Sequence, residues 1–416
     1  MRGCGRIRSI GVLATLAFLV APLTSAARAQ APETALRDVP QGTAVRLSAL
    51  QGDPRYRSTF LNQFDSLTPE NELKMNALQP HRGEFDFRAA DQLVQFALDH
   101  GKTVHGHALV WGLSLPLWLV DHGATDDIGL RLPPIQLPQL PSPLGAAVSS
   151  ATTLLTGWRR DELLGVMDNH ITTVMQHFAG KVGEWDVVNE PMAEDGSLSP
   201  SVWERFIGPD YIEQALRTAH AADPSAKLFI NDYAIEEPSR KQDGLFRLVK
   251  DLLARGVPLD GIGLQMHTHI LGYPDQATLE NTMRRFAGLG LKVEVTEMDV
   301  GTSLLVPAGL DVLKQQAQAY GAAARACDAV SACTRFTTWG FTDALSWIGS
   351  AEAPLLFDAD YRPKPAFAAV RSAFAPRGAA AAPPPASRQP ASWRWLPGVG
   401  ARCGWGSCSG LRAGRG

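Results

Sequence analysis

The chain is poor in the features that mark several large function classes. Its five cysteines, Cys4, Cys327, Cys333, Cys403 and Cys408, include no CxxC pair, and 70 residues separate Cys333 from Cys403. A four-cysteine metal site is therefore disfavoured, whereas Cys327 with Cys333 and Cys403 with Cys408 could each close a small disulfide loop in an oxidising compartment. No GxGxxG or Walker fingerprint follows any strand-like run, which disfavours a nucleotide-binding sheet. The longest apolar run, Ile10 to Leu23, is about 14 residues, short of the roughly 20 that a bilayer span needs. With 45% hydrophobic and 19% charged residues, the 416-residue chain is neither disordered, fibrous nor a multi-pass membrane protein.

Both ends differ from the middle. Arg2, Arg6 and Arg8, the apolar run and Ala27-Arg28-Ala29 have the layout of a signal peptide over residues 1–29, cleaved near Ala29. The expectation is a secreted or periplasmic protein with no membrane contact after cleavage. Residues 376–416 form a low-complexity tail rich in Ala, Pro, Gly and Arg; Trp393, Trp395 and Trp405 stand near its two cysteines, too few residues for a core without staples. Ten of the 39 basic residues fall in these ends and all 42 acids fall between them, so the body carries a net charge of −13. An acidic body argues against a nucleic-acid partner, because such binding rests on Lys and Arg meeting phosphate. It fits a neutral substrate handled by carboxylates.

Between the ends, eight β-rich runs alternate with amphipathic stretches. The runs are Gly42–Val45, Phe64–Leu67, Thr103–Val110, Val182–Val188, Lys227–Ile230, Gly261–Leu264, Lys292–Val295 and Phe336–Trp339. Helical patterns cover Ala89–His100, with Gly101 as its cap, Tyr211–Ala222 and Arg240–Arg255. Eight such units predict an α/β chain folded as one (β/α)8 TIM barrel, a single catalytic domain over residues 30–375. In that fold the chemistry sits where the strands end. There the sequence places Glu70 and Asn71, His107 and Trp111, Asn189 and Glu190, Asn231-Asp232-Tyr233, Gln265 and His267, Glu297 and Asp299, and Trp339.

Glu190 and Glu297 each follow an apolar run, so each should enter a partly dry cleft. Glycoside hydrolysis needs such a pair: one carboxyl gives its proton to the leaving oxygen, and the other, ionised, attacks the anomeric carbon or activates water. Asn189 can hydrogen-bond a sugar hydroxyl, and His267 with Asp299 can hold Glu297 ionised and oriented.

The stretches TPENELK (68–74), GHALVW (106–111), WDVVNEP (185–191), NDY (231–233), GIGLQMH (261–267), VTEMD (295–299) and TWGFTDALSW (338–347) resemble glycoside hydrolase family 10, the endo-β-1,4-xylanases. The similarity runs from about Gly42 to Phe367 and ends on YRPKPAF (361–367), which resembles the family's closing stretch. It implies a retaining enzyme that cuts internal xylan bonds by double displacement, with Glu190 as proton donor and Glu297 as nucleophile. Glu70, Asn71 and Lys74 would bind xylose hydroxyls on the glycone side; His107, Trp111, Asn189, Gln265 and His267 would surround the sugar being cleaved; Trp339 and Trp347 would offer aromatic faces to pyranose rings. The segment from Cys327 to Cys333 is similar to a disulfide loop of many members. No cofactor or metal is implied, and the expected partners are xylan and xylo-oligosaccharides, bound by a monomer.

The chain also departs from that pattern. Gly112, Ser114 and Ile348 stand where members usually have His, Gln and Arg, which strips polar contacts from the glycone side. A Pro-rich insertion at about 123–157, densest at 130–144, follows the third run and could wall or cap the cleft. Three other readings stand beside this one: the same chemistry on another β-linked glycan, a carbohydrate-binding protein without turnover, and a metal-dependent hydrolase using His105 with His107 and His267 with His269.

Overall fold

The computed structural model describes residues 39–121, 157–302 and 309–375. The expected signal, the Pro-rich segment 130–144 and the tail with its cysteine pair lie outside the described residues.

Among the described residues nine strands run in chain order: β1 (Gln41–Val45), β2 (Ser66–Pro69), β3 (Thr103–Trp111), β4 (Glu184–Asn189), β5 (Lys227–Asp232), β6 (Gly261–Leu264), β7 (His267–His269), β8 (Lys292–Gly301) and β9 (Cys333–Thr338). Each of the first five pairs in parallel with the next; β6 then pairs with β8, β8 with β9, and β9 with β1. The sheet therefore closes into an eight-stranded barrel, and the short β7 adds to β8 above β6, with His267 opposite Asp299. Closure covers both faces of every strand, which is why runs such as Val187-Val188 and Leu228-Phe229-Ile230 are apolar without alternation.

The strands lie where the sequence places them, with shifted ends. β4 and β2 start two residues later than expected, whereas β8 runs six residues further, to Gly301, so Glu297 stands within a strand rather than after one. Pairing with β7 and β9 sustains that extension. Between the strands, Arg88–Asp99 buries Leu93, Val94 and Ala97 and is followed by Gly101 at φ 66°, the left-handed turn that glycine adopts without strain. Helix Tyr211–Ala222 matches its predicted span, and Arg240–Ala254 is capped by Ser239, whose hydroxyl accepts from Gln242 N–H at 3.0 Å. Close approach fixes Gly106: a Cβ there would lie 2.2 Å from the ring of Trp185, which in turn packs on Phe178. Cys327, in helix Val312–Ala329, is bonded to Cys333 at the start of β9, so the last helix-to-strand connection is stapled. Among the described residues no helix is long and apolar enough to cross a membrane.

Candidate active site

The chain leaves β4 through Glu190, which adopts φ 55° before Pro191. For a residue with a Cβ this region costs of order 1–3 kcal/mol and persists only where its surroundings impose it. Here Glu190 N–H donates to Asn231 O at 2.8 Å, and Met192 N–H donates to the buried Asp232 carboxylate at 3.1 Å. The turn brings the half-buried Glu190 side chain to Gln265, whose Nε2 donates to Glu190 Oε1 at 3.3 Å and to Asn189 Oδ1 at 3.2 Å. Asn231 Nδ2 completes the frame by donating to Asn189 Oδ1 at 2.9 Å and to Glu297 Oε1 at 2.6 Å. The two glutamates, from strands on different sides of the barrel, are thus tied together by three amides.

Glu297 is 4% exposed. Its second oxygen lies 3.3 Å from His267 Nε2, and His267 Nδ1 lies 2.9 Å from Asp299 Oδ2. Trp347 Nε1 also donates to that aspartate oxygen, at 2.6 Å, and its ring packs on His267 with centroids 4.9 Å apart. The environments of the two carboxyls differ in sign. Burial pushes Glu190 above its ordinary pKa; the Trp111 indole N–H, which faces it short of regular hydrogen-bond geometry, pulls back, and the charge of Glu297 pushes up again. Burial acts on Glu297 too, yet the imidazoles of His107 and His267 outweigh it and hold the carboxyl below its ordinary pKa. For His267 itself, burial is overcome by Asp299 and Glu297, which raise its pKa well above the usual histidine value. One carboxyl is set to carry a proton and the other to stay charged.

Around this pair the other sequence-predicted residues assemble. Lys74 is buried and its Nζ donates to Asn71 Oδ1 at 3.1 Å, while standing 5.2 Å from the Trp111 ring centroid and 5.8 Å from that of Trp339. Burial brings its pKa down to about 8 against the opposing pull of Glu70, Glu297 and Glu190. Glu70 Oε2 accepts from Arg46 Nε at 2.6 Å. His107 meets the Trp339 ring edge-on at 4.9 Å. Trp339 is 2% exposed, closed over by Lys74 and His107, whereas Trp347 is half-buried; of the two indoles, Trp347 has the accessible surface.

The family model for glycosyl hydrolase family 10 matches residues 32–373. The chain belongs to glycosyl hydrolase family 10. It is 37% identical over 322 residues to endo-1,4-beta-xylanase B of Thermotoga neapolitana, covering 76% of this chain and 82% of that protein. It is 36% identical over 341 residues to exoglucanase XynX of Acetivibrio thermocellus, covering 80% of this chain but 28% of that longer protein. Among solved structures, xylanase 10B from Thermotoga petrophila RKU-1 in complex with xylobiose matches with a TM-score of 0.68 and 35% identity, over 81% of this chain and 94% of that one.

In this family 10 barrel neither His-x-His pair converges as metal ligands would. His105 and His107 each face one oxygen of Asp186, at 3.1 and 2.9 Å. His267 is taken by Glu297 and Asp299, and His269 Nδ1 accepts from Leu271 N–H at 3.2 Å. Four residues of the frame, Arg46, Asp186, Thr296 and Asn231, were given no role from the sequence, although Asn231 was placed at a strand end. Asn231 had a usable signal, an amide directly after the apolar run Leu228-Phe229-Ile230. Asp186 had none, since alternation from Asn189 would turn it to the opposite face.

Proposed function

We propose that this family 10 enzyme hydrolyses internal β-1,4-xylosidic bonds with net retention, Glu297 acting as nucleophile and Glu190 as acid and base. The observation that carries the reading is the opposite pKa shift of two carboxyls held in one amide frame. Glu297 attacks the anomeric carbon as the glycosidic C–O bond breaks, and Glu190 gives its proton to the departing oxygen. Glu190, now ionised, takes a proton from water, whose oxygen attacks the same carbon and releases Glu297. Two inversions leave the β configuration. Asn189, Gln265, Lys74, Asn71 and Glu70 line the polar side of the cleft and Trp347 its apolar side, as a sugar with hydroxyl edges and C–H faces requires. Incubating the full chain with β-1,4-xylan and following new reducing ends by proton NMR should show the β-anomer first, with the α-anomer growing in by mutarotation. Initial α-anomer would overturn the mechanism.

The exoglucanase among the relatives favours one second reading, the same chemistry on a β-glucan. Comparing kcat/KM on xylo- and cello-oligosaccharides of equal length separates the two: a higher value on the cello-series would displace xylan. The proposal includes export, supported by the Cys327–Cys333 bond. Sequencing the N-terminus of protein recovered outside the cytoplasm should find it near residue 30, and an intact Met1 would sink this part.

A further inference from the structure

Directly beneath the reacting carboxyls the barrel interior is ionic, where such barrels usually hold branched apolar side chains. Ser66 of β2, His105 of β3, Glu184 and Asp186 of β4, Glu294 of β8 and Arg335 of β9 meet there, all buried except the half-buried Glu184. Arg335 pairs with Glu184 and donates to Ser66, and its Nε lies 3.4 Å from Glu294 Oε2. Thr334 donates to the other oxygen of Glu294 at 2.9 Å. His105 sits in the middle. Its Nε2 is 3.1 Å from Asp186 Oδ1, and its Nδ1 is 3.6 Å from Glu294 Oε2 and 3.9 Å from Glu184 Oε2. From β5 its neighbour is the uncharged ring of Phe229, edge-on at 5.9 Å. The second oxygen of Asp186 meets His107 Nδ1 at 2.9 Å, and that nitrogen lies 3.8 Å from Glu297 Oε1. A continuous line of groups, His105, Asp186, His107 and Glu297, therefore runs up the barrel from the ionic layer to the reaction centre.

We propose that His105 is a positioning residue for the nucleophile Glu297, acting through Asp186 and His107; this rests on the retaining-glycosidase reading above. An apolar side chain of the same volume would fill the site without burying charge, so packing alone does not account for an imidazole whose nitrogens both face carboxylates. Asp186 shows the consequence: burial opposes its ionisation, yet the two imidazoles bring its pKa to about 2. It is then ionised wherever the enzyme works, and its charge keeps His107 turned to itself and beside Glu297, whose own pKa His107 lowers. Removing His105 unloads this line. The pKa of Asp186 rises, its hold on His107 weakens, and the pKa of Glu297 rises in turn. Because Glu297 reacts ionised, the acid limb of kcat/KM moves to higher pH, while the alkaline limb, set by the proton on Glu190, stays in place.

The test compares the full wild-type chain with His105→Leu and His105→Gln on xylotetraose across pH, with melting temperatures alongside. The leucine variant should move the acid limb up by about 0.5–1 pH unit, which is roughly a 3–10-fold loss on that limb. Glutamine keeps an amide donor toward Asp186 and should restore part of the shift. Unmoved limbs in both variants, or a uniform loss tracking a lowered melting temperature, would overturn the proposal. If the leucine variant does not fold, the glutamine variant carries the comparison. A wild type without turnover would refute the underlying reading instead, and carbon-13 NMR titration of the Glu297 carboxyl would still decide this one: an equal midpoint with and without His105 overturns it.

Discussion

Glu190→Ala is expected to lower kcat/KM on xylan by about 10³–10⁴-fold, while release of an activated phenol from an aryl xylobioside falls far less. A xylan leaving group is a poor alkoxide that must be protonated as the bond breaks, and a positioned acid contributes about 10²–10⁴ to that step. An activated phenolate leaves without a proton. With that substrate Glu297 still forms the glycosyl-enzyme, but no base then draws a proton from water, so the intermediate accumulates and phenol appears in a burst. Stopped-flow absorbance would show the burst and mass spectrometry the covalent adduct on Glu297. Equal losses on both substrates with no burst would remove Glu190 from the acid/base role. Glu297→Ala should abolish both reactions, since no covalent intermediate can form.

Asn231→Ala is expected to cost about 10²-fold in kcat/KM. The buried Asn231 amide is the joint of the frame: it donates to Asn189 and Glu297 and accepts from Thr296 Oγ1 at 2.7 Å. A hydrogen bond to a charged group contributes about 1.5–3 kcal/mol, or roughly 10–150-fold, and the loosening of Asn189 adds to that. An independent change should act through the same joint. A Cβ on Gly263 would lie 2.2 Å from Asn231 Oδ1, so Gly263→Ala must displace the amide without altering it. Steady-state kinetics on xylotetraose for both variants checks the argument. Wild-type kcat/KM in a folded Gly263→Ala variant would show that the position of Asn231 does not matter.

Much of the fold was legible because burial on both faces leaves a plain signature: short apolar runs, separated by helices with readable ends such as Gly101. The candidate site was legible wherever a polar residue directly follows such a run, as Glu190 follows β4. Legibility failed one layer down. In β4 the pairing register slips between Asp186 and Val188, and in β8 it slips between Val295 and Met298. Each slip lets two residues three apart reach the same interior: Asp186 contacts both imidazoles while Asn189 contacts Asn231 and Gln265. Likewise Glu294 meets Arg335 and Glu297 meets His267. Strict alternation assigns the members of each pair to opposite faces, so no reading of period two finds them together.

The sequence by itself determined that this chain alternates strand and helix eight times, that its body is acidic, and that a pair of glutamates following apolar runs, with amides and indoles, belongs to a sugar-cleaving family. Those properties reside in single residues and their local spacing. The tertiary structure alone decided that the amides of Asn231 and Gln265 tie the two glutamates into one frame, that Trp339 is covered while Trp347 is accessible, and that Asp186 and His105 stand beneath the nucleophile. The reason is physical: a pKa depends on distances to charges and on burial, and these are fixed only when strands far apart in the chain close the barrel and their register slips turn side chains inward.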